Sequence, residues 1–333
     1  MRLRAIARGL LRTVAACAGI AWLANGVAAL DERPSLDPAT LPEADRTLER
    51  LSELRRAALA GAGFELRSLG EGGERLRYFD AGSGEPMLFL HGAGDQAGTW
   101  FEVAPAFSAT YRLVVLDLPG HGESEPLTGD LPMATVVAGA ERMLAEIARE
   151  RPAIVVGNSM GAWIATLLAH RHPEQVARLV LVNGGAVPGD PGAPSLLPAS
   201  REDAARLMTI LRDPDSAPVP DWLLDELVRR APTCETARML RDLPGLFAHM
   251  LPGRLGEIAV PADLLWGASD RMMTPAYAER MAAQLPASRL TFVEKCGHIP
   301  QLECAERFRA ALADVLALPP ARPTARVTPA GEP

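Results

Sequence analysis

Gly157-Asn158-Ser159-Met160-Gly161 follows the apolar run Ala153–Val156 and precedes a segment of helical spacing. A serine held between two glycines at a strand-to-helix junction reads as a nucleophile turn. The backbone is strained so that the hydroxyl projects, and the glycines carry no side chain to collide across the turn. The helix starting at Met160 aims its first amides at negative charge developing beside it. A serine hydroxyl is a poor nucleophile without a base, and the chain offers six histidines. His170 and His172 end the helix after the serine and are expected to face solvent. His249 lies in a helical stretch, His121 in a glycine-rich loop, and His91 closes a strand whose loop it is expected to shape. His298, in Cys296-Gly297-His298-Ile299-Pro300 after the apolar run Leu290–Val293, is the base candidate. A carboxylate must hold its tautomer and stabilise the imidazolium. Asp270, ending Leu264-Leu265-Trp266-Gly267-Ala268-Ser269-Asp270, is that candidate. The rival position after the preceding strand holds the uncharged Asn183, and Asp263 reads as a strand-edge residue.

An acyl-transfer reaction also needs two backbone donors for the oxyanion. Met160, next after the serine, supplies one. Leu90-His91-Gly92-Ala93-Gly94 supplies the other, assigned to the Ala93 amide, with Gly92 and Gly94 bordering the substrate. Trp222 is a candidate for contact with an acyl chain. Asp117-Leu118-Pro119-Gly120-His121-Gly122-Glu123-Ser124 reads as a tight turn beside the site with no direct chemistry. No G-x-G-x-x-G, Walker or HExxH pattern occurs, so neither a cofactor nor a metal is expected.

These residues need a scaffold, and the apolar runs describe one. Phe64–Leu69 and Arg75–Phe79 alternate as strands do. Met87–Leu90, Leu113–Leu116, Ala153–Val156, Leu179–Val182, Leu264–Trp266 and Leu290–Val293 are continuous. Between most of them lie helical segments, including Met133–Arg149, Met160–His170 and Ala276–Gln284. Continuous apolar strands alternating with helices predict an α/β fold with a mostly parallel eight-stranded sheet covered on both faces. Residues 64–183 form the first part of that core and 258–318 the second, closed by a helix over Leu302–Leu318. Residues 184–257 break the alternation, opening with Pro188, Pro191, Pro194 and Pro198 and continuing with three helical pieces, and read as a helical cap over the carboxyl edge of the sheet, where ligands bind in such folds. Residues 31–63 read as a linker and an amphipathic helix packed on the body, and 319–333 as a disordered tail.

The length of 333 residues suits one large domain or two small ones, and 48% hydrophobic with 23% charged residues excludes global disorder. The formal charge is −7, but four arginines precede position 31, so the body beyond them is more acidic still. Such a surface repels a phosphate backbone, which excludes nucleic acid as a partner. Thr13–Leu30 carries no charge and follows those arginines. Residues 1–30 are therefore expected to be a signal peptide or a membrane anchor, placing the body outside the cytoplasm, at the inner membrane or in the periplasm. Of the remaining cysteines, Cys234, Cys296 and Cys304, not all can pair. Spacing alone does not establish a bond between Cys296 and Cys304, so they are read as thiols.

Together, His91-Gly92-Ala93-Gly94, Asp117–Ser124, Gly157–Gly161, Asp270 and Gly297-His298 resemble the α/β-hydrolase family in order and spacing. The resemblance implies a serine hydrolase with Ser159, His298 and Asp270 as its triad. Serine at 159 departs from the aspartate of the haloalkane dehalogenase and epoxide hydrolase branches. Pro194–Leu207 and Val219–Leu223 look like the cap of bacterial lipases related to monoacylglycerol lipases, which often carry an amino-terminal apolar segment. That branch implies a carboxylic ester hydrolase acting on a small-molecule or lipid ester. The alternative branch is the carbon–carbon bond hydrolases of ring-cleavage products, which Lys295–His298 and Gly157–Gly161 also look like. Ile299 stands where those usually place tryptophan, and of the cap arginines Arg201, Arg206 and Arg212 none reads as a convincing partner for an acidic substrate. A non-catalytic ligand-binding role on the same fold is the third reading.

Overall fold

The computed structural model describes residues 36–189 and 195–322. The expected leader over 1–30 and most of the expected tail lie outside these residues. Eight strands form one sheet in the order β1-β2-β4-β3-β5-β6-β7-β8. They are β1 (Glu65–Leu69), β2 (Leu76–Gly82), β3 (Glu85–Leu90), β4 (Tyr111–Leu116), β5 (Ala153–Asn158), β6 (Val176–Val182), β7 (Ala262–Gly267) and β8 (Ser288–Val293). Only the β1–β2 and β2–β4 pairs are antiparallel. Each of the eight apolar or alternating runs of the sequence falls on one strand, with Phe64 and Arg75 standing just before β1 and β2.

Continuous apolar strands are stable only when both faces are covered, and residue parity divides the core accordingly. Leu88, Leu90, Val114, Leu116, Val155, Leu179 and Leu264 pack on one side with α2 (Met133–Ile147) and α3 (Met160–Arg171). Met87, Phe89, Leu113, Val115, Val156, Val180 and Leu265 pack on the other, with Trp100 and with Phe308 and Leu312 of α10 (Ala305–Ala317). The closing helix is broken at Cys304, so that α9 (Pro300–Glu303) precedes α10.

The amino-terminal helix α1 (Leu48–Gly61) is capped by Thr47, whose side chain accepts from the Arg50 amide, and buries Leu51 and Leu59. It packs on the body as expected, and Arg56 fixes it there. That guanidinium donates to Asp117 at 2.6 Å and to Glu123 at 2.7 Å, and stands 5.0 Å over the Phe79 ring.

Among the described residues the cap holds four α-helices rather than three: α4 (Arg201–Leu211), α5 (Asp221–Arg230), α6 (Glu235–Met239) and α7 (Leu243–Phe247). Arg238 of α6 is buried and spends its guanidinium on the carbonyls of Gly120, Pro126, Thr128 and Gly129. The remaining core helix is α8 (Pro275–Gln284). Asp263 is not a strand-edge residue. It is buried in β7, and Arg178 of β6 donates to it at 2.6 Å. Among the described residues no helix is long and apolar enough to cross a membrane.

Candidate active site

The turn between β5 and α3 has the strain its sequence requires. Ser159 has φ 54 and ψ −114, a conformation tolerated only where the surroundings hold it. A Cβ on Gly157 would lie 2.2 Å from the Gly161 carbonyl oxygen, and one on Gly161 would lie 2.3 Å from that of Leu90. Behind the serine, a Cβ on Gly184 would meet the Ser159 carbonyl oxygen at 2.4 Å. Backbone packed this closely on three sides aims the hydroxyl outward, and Ser159 is half-buried.

His298 Nε2 is 2.9 Å from Ser159 Oγ, and Nδ1 is 2.8 Å from Asp270 Oδ2. Asp270, buried at the end of β7, accepts from the amides of Met272 (2.8 Å) and Met273 (2.9 Å) on Oδ1. With Oδ1 occupied by these amides, Oδ2 is the acceptor for Nδ1–H, which leaves Nε2 facing the serine as acceptor. Hydrogen-bond distances at both ends fit a Ser-His-Asp relay.

Of the two residues expected to supply donors, Met160 directly follows the serine and Ala93 directly follows Gly92. Gly92 lies against the serine, where an added Cβ would stand 3.4 Å from Ser159 Cβ. Among the described residues, the amides of Ala93 and Met160 donate no hydrogen bond, which leaves both for an incoming oxyanion. Gly94 has φ 71 and faces Thr236 of the cap, whose Oγ1 would be 3.2 Å from an added Cβ.

Trp222 is not brought to the triad. Its indole donates to the Pro38 carbonyl at 3.1 Å, tying the cap to the amino-terminal segment. His91 shapes its loop as expected: Nδ1 donates to the Gly92 carbonyl at 2.8 Å and Nε2 accepts from the Leu118 amide at 3.0 Å. His121 stacks obliquely 5.1 Å from it, and Nδ1 donates to the Pro119 carbonyl. Burial pushes both imidazoles down to about 4, so both are neutral. His170 is paired with Glu257 at 2.9 Å.

Sequence reasoning missed the groups that hold the base. Asn158 donates to the His298 carbonyl at 3.0 Å and accepts from Gln301 at 3.1 Å. The His298 amide donates at 2.7 Å to the carbonyl of Leu211, the last residue of α4. Glu303 accepts from the Gly297 amide at 2.6 Å and from the Asp213 amide at 2.6 Å. The cap and the base loop are thus one hydrogen-bonded unit. Cys296 and Cys304 form a disulfide with Cα atoms 5.9 Å apart, which corrects the reading of both as thiols. The turn through His298 and α9 folds the chain back and brings them together, a geometry that spacing does not reveal. Asn183 is not an alternative acid but a donor to Asp270.

A cleft of about 890 Å³ lies elsewhere. It is lined by Asp37, Arg55, Arg212, Lys295 and Arg307, among others, and not by the triad.

Residues 87–311 match the model of the alpha/beta hydrolase family. A relative from Paraburkholderia xenovorans, a 2-hydroxy-6-oxononadienedioate/2-hydroxy-6-oxononatrienedioate hydrolase, is 31% identical over 273 residues, covering 74% of this chain and 92% of its own. A bacterial membrane phospholipase A is similar in structure, with TM-score 0.66 and 26% identity over 95% of this chain and 100% of its own. The 2-hydroxy-6-oxo-6-phenylhexa-2,4-dienoate hydrolase of Rhodococcus sp. strain RHA1 shares the fold at TM-score 0.64 and 20% identity, over 77% of this chain and 99% of its own.

Proposed function

The chain belongs to the alpha/beta hydrolase family, and within it we propose a Ser159-dependent hydrolase that opens a bond beside a carbonyl carbon. The observation that carries this is the continuous relay from Ser159 Oγ through His298 to Asp270, at 2.9 and 2.8 Å. His298 Nε2 takes the serine proton as Oγ adds to the carbonyl, and the Ala93 and Met160 amides stabilise the oxyanion. The proton on Nε2 then passes to the leaving group, and water, deprotonated by the same nitrogen, releases the acid.

Two leaving groups compete. The names of sequence relatives at 30–32% identity support carbon–carbon cleavage of a dienedioate ring-cleavage product better than the ester reading. There the leaving group is a carbanion, so conjugation must spread its charge until His298 delivers the proton. This is the reading we place first. The second, a carboxylic ester or lipid ester, is favoured by one specific observation. Among the described residues, every cap arginine is engaged away from the triad: for example Arg201 with Asp225, Arg229 with Glu226, and Arg238 with four carbonyls. A dianionic substrate would want one of them. With an exporting or anchoring leader, an ester-cleaving enzyme would meet its substrate at a bilayer surface.

Side-by-side assays separate the readings. The carbon–carbon reading predicts serine-dependent loss of the absorbance of a 2-hydroxy-6-oxo dienoate with slow turnover of p-nitrophenyl esters from two to sixteen acyl carbons. The opposite preference establishes the ester reading. Turnover of neither substrate class by folded protein refutes the hydrolase.

A further inference from the structure

Besides the amides of Met272 and Met273, a side chain donates to Asp270. Asn183 Nδ2 lies 2.6 Å from Oδ2, the same oxygen that faces His298 Nδ1 at 2.8 Å. The amide has one orientation. Its Oδ1 accepts from the Gly267 amide at 3.1 Å, which turns Nδ2 toward Oδ2 and toward the Gly297 carbonyl at 3.1 Å. Asn183 is fully buried with φ 51, a left-handed conformation that asparagine adopts more readily than most residues. It therefore bridges three segments of the site: the end of β6, the Asp270 turn and the His298 loop.

We propose that Asn183 is a positioning residue that sets the basicity of His298 through Asp270. Its N–H shares Oδ2 with the imidazole and draws carboxylate charge away from Nδ1. This keeps His298 neutral, and able to accept the serine proton, at a lower pH than Asp270 alone would allow. The inference rests on the hydrolase reading. Other charged groups packed here are Asp213, which accepts from the Ser269 hydroxyl, and Glu303, which accepts from the Gly297 amide. Arg212 and Arg271 are held on the carbonyls of Ala217 and Thr209. None of them is hydrogen-bonded to the side chain of Asp270 or His298, and all are unchanged in the variants below.

Asn183→Asp keeps shape and tolerance of positive φ but replaces the donor with a second carboxyl. Two carboxyls at this distance share one proton, and its loss adds negative charge beside the imidazolium, so the acid limb of activity moves up. Asn183→Gly also tolerates the backbone and simply removes the donor, moving the limb the same way by less. The readout is the rate at which a fluorophosphonate labels Ser159, followed from about pH 5 to 9, because labelling needs neutral His298 and no knowledge of the substrate. The expected result is an acid limb raised by about one unit in Asn183→Asp. In Asn183→Gly the expected rise is about 0.3 unit or more, and this variant decides if the aspartate variant does not fold. A limb at the parental midpoint in the folded variants overturns the role, whatever the loss of rate, since a merely structural contact would slow labelling without moving it. Absence of labelling at Ser159 in the parent overturns the hydrolase reading as well, so the two failures are distinguishable.

Discussion

Replacing Glu303 with glutamine removes the contact through which the cap loop and the base loop share one carboxylate. Oε2 accepts from the Gly297 amide, while Oε1 accepts from the Asp213 amide and the Ser216 hydroxyl. The carboxylate side chain is 2% exposed. A glutamine has one acceptor oxygen. Serving the two donors of the cap loop with it turns the amide NH₂ against the Gly297 N–H. One hydrogen bond to a charged group is lost, at about 1.5–3 kcal/mol, and a buried donor is left unsatisfied, at about 1–3 kcal/mol. Taken together, Glu303→Gln is expected to destabilise the fold by about 3–5 kcal/mol. Because Gly297 precedes His298, the rate of Ser159 acylation is also expected to fall at least about tenfold, as misplaced catalytic groups do. Urea denaturation followed by circular dichroism reads the first effect, and fluorophosphonate labelling below the transition reads the second. Glu306→Gln, at an exposed position of α10, is the control and should stay within about 0.5 kcal/mol. If the two variants were equally stable and equally reactive, the carboxylate would not couple the loops and the reasoning would fail.

Three further outcomes follow from the same geometry. His91 and His121 are held neutral with values lowered to about 4, so the unfolded chain binds more protons between about pH 6.5 and 4 and stability must fall as pH drops through that window. The loss amounts to several kcal/mol across the window, and an unfolding free energy flat across that range would contradict the burial argument. Arg56→Ala leaves the buried carboxylate of Asp117 without its cation and should cost about 3 kcal/mol in equilibrium unfolding; a loss under about 0.5 kcal/mol would mean that α1 is held by its leucines alone. Reducing the Cys296–Cys304 bond, whose sequence separation is 8, should lower stability by about 2–3 kcal/mol, checked by denaturation with and without dithiothreitol; coincident curves would show that the bond does not constrain the unfolded chain.

The sheet was legible because its strands are buried on both faces and so read as uninterrupted apolar runs such as Leu113–Leu116. The triad was legible for a related reason: Ser159, Asp270 and His298 each follow such a run, where strand ends converge. What escaped the sequence are contacts between residues far apart in the chain with no local signature. Asn183 carries no charge and so was set aside, yet it donates to Asp270 across 87 positions. Glu303 has no local sequence signal, yet it accepts from the Asp213 amide 90 positions away. Trp222 had the apolar character of an acyl-chain contact, but the segment around Pro38 claims its indole. Cap packing depends on such long-range partners, which explains why its helix count was misjudged.

The central claim is that Ser159 is the nucleophile and His298 its base. The measurement that tests it most directly is peptide mapping by mass spectrometry after fluorophosphonate treatment of the wild type, Ser159→Ala and His298→Ala. The account predicts a single adduct on the Ser159 peptide of the wild type, none in Ser159→Ala, and labelling slowed at least about a thousandfold in His298→Ala. An adduct at another residue, or a folded wild type that takes no label, would contradict it.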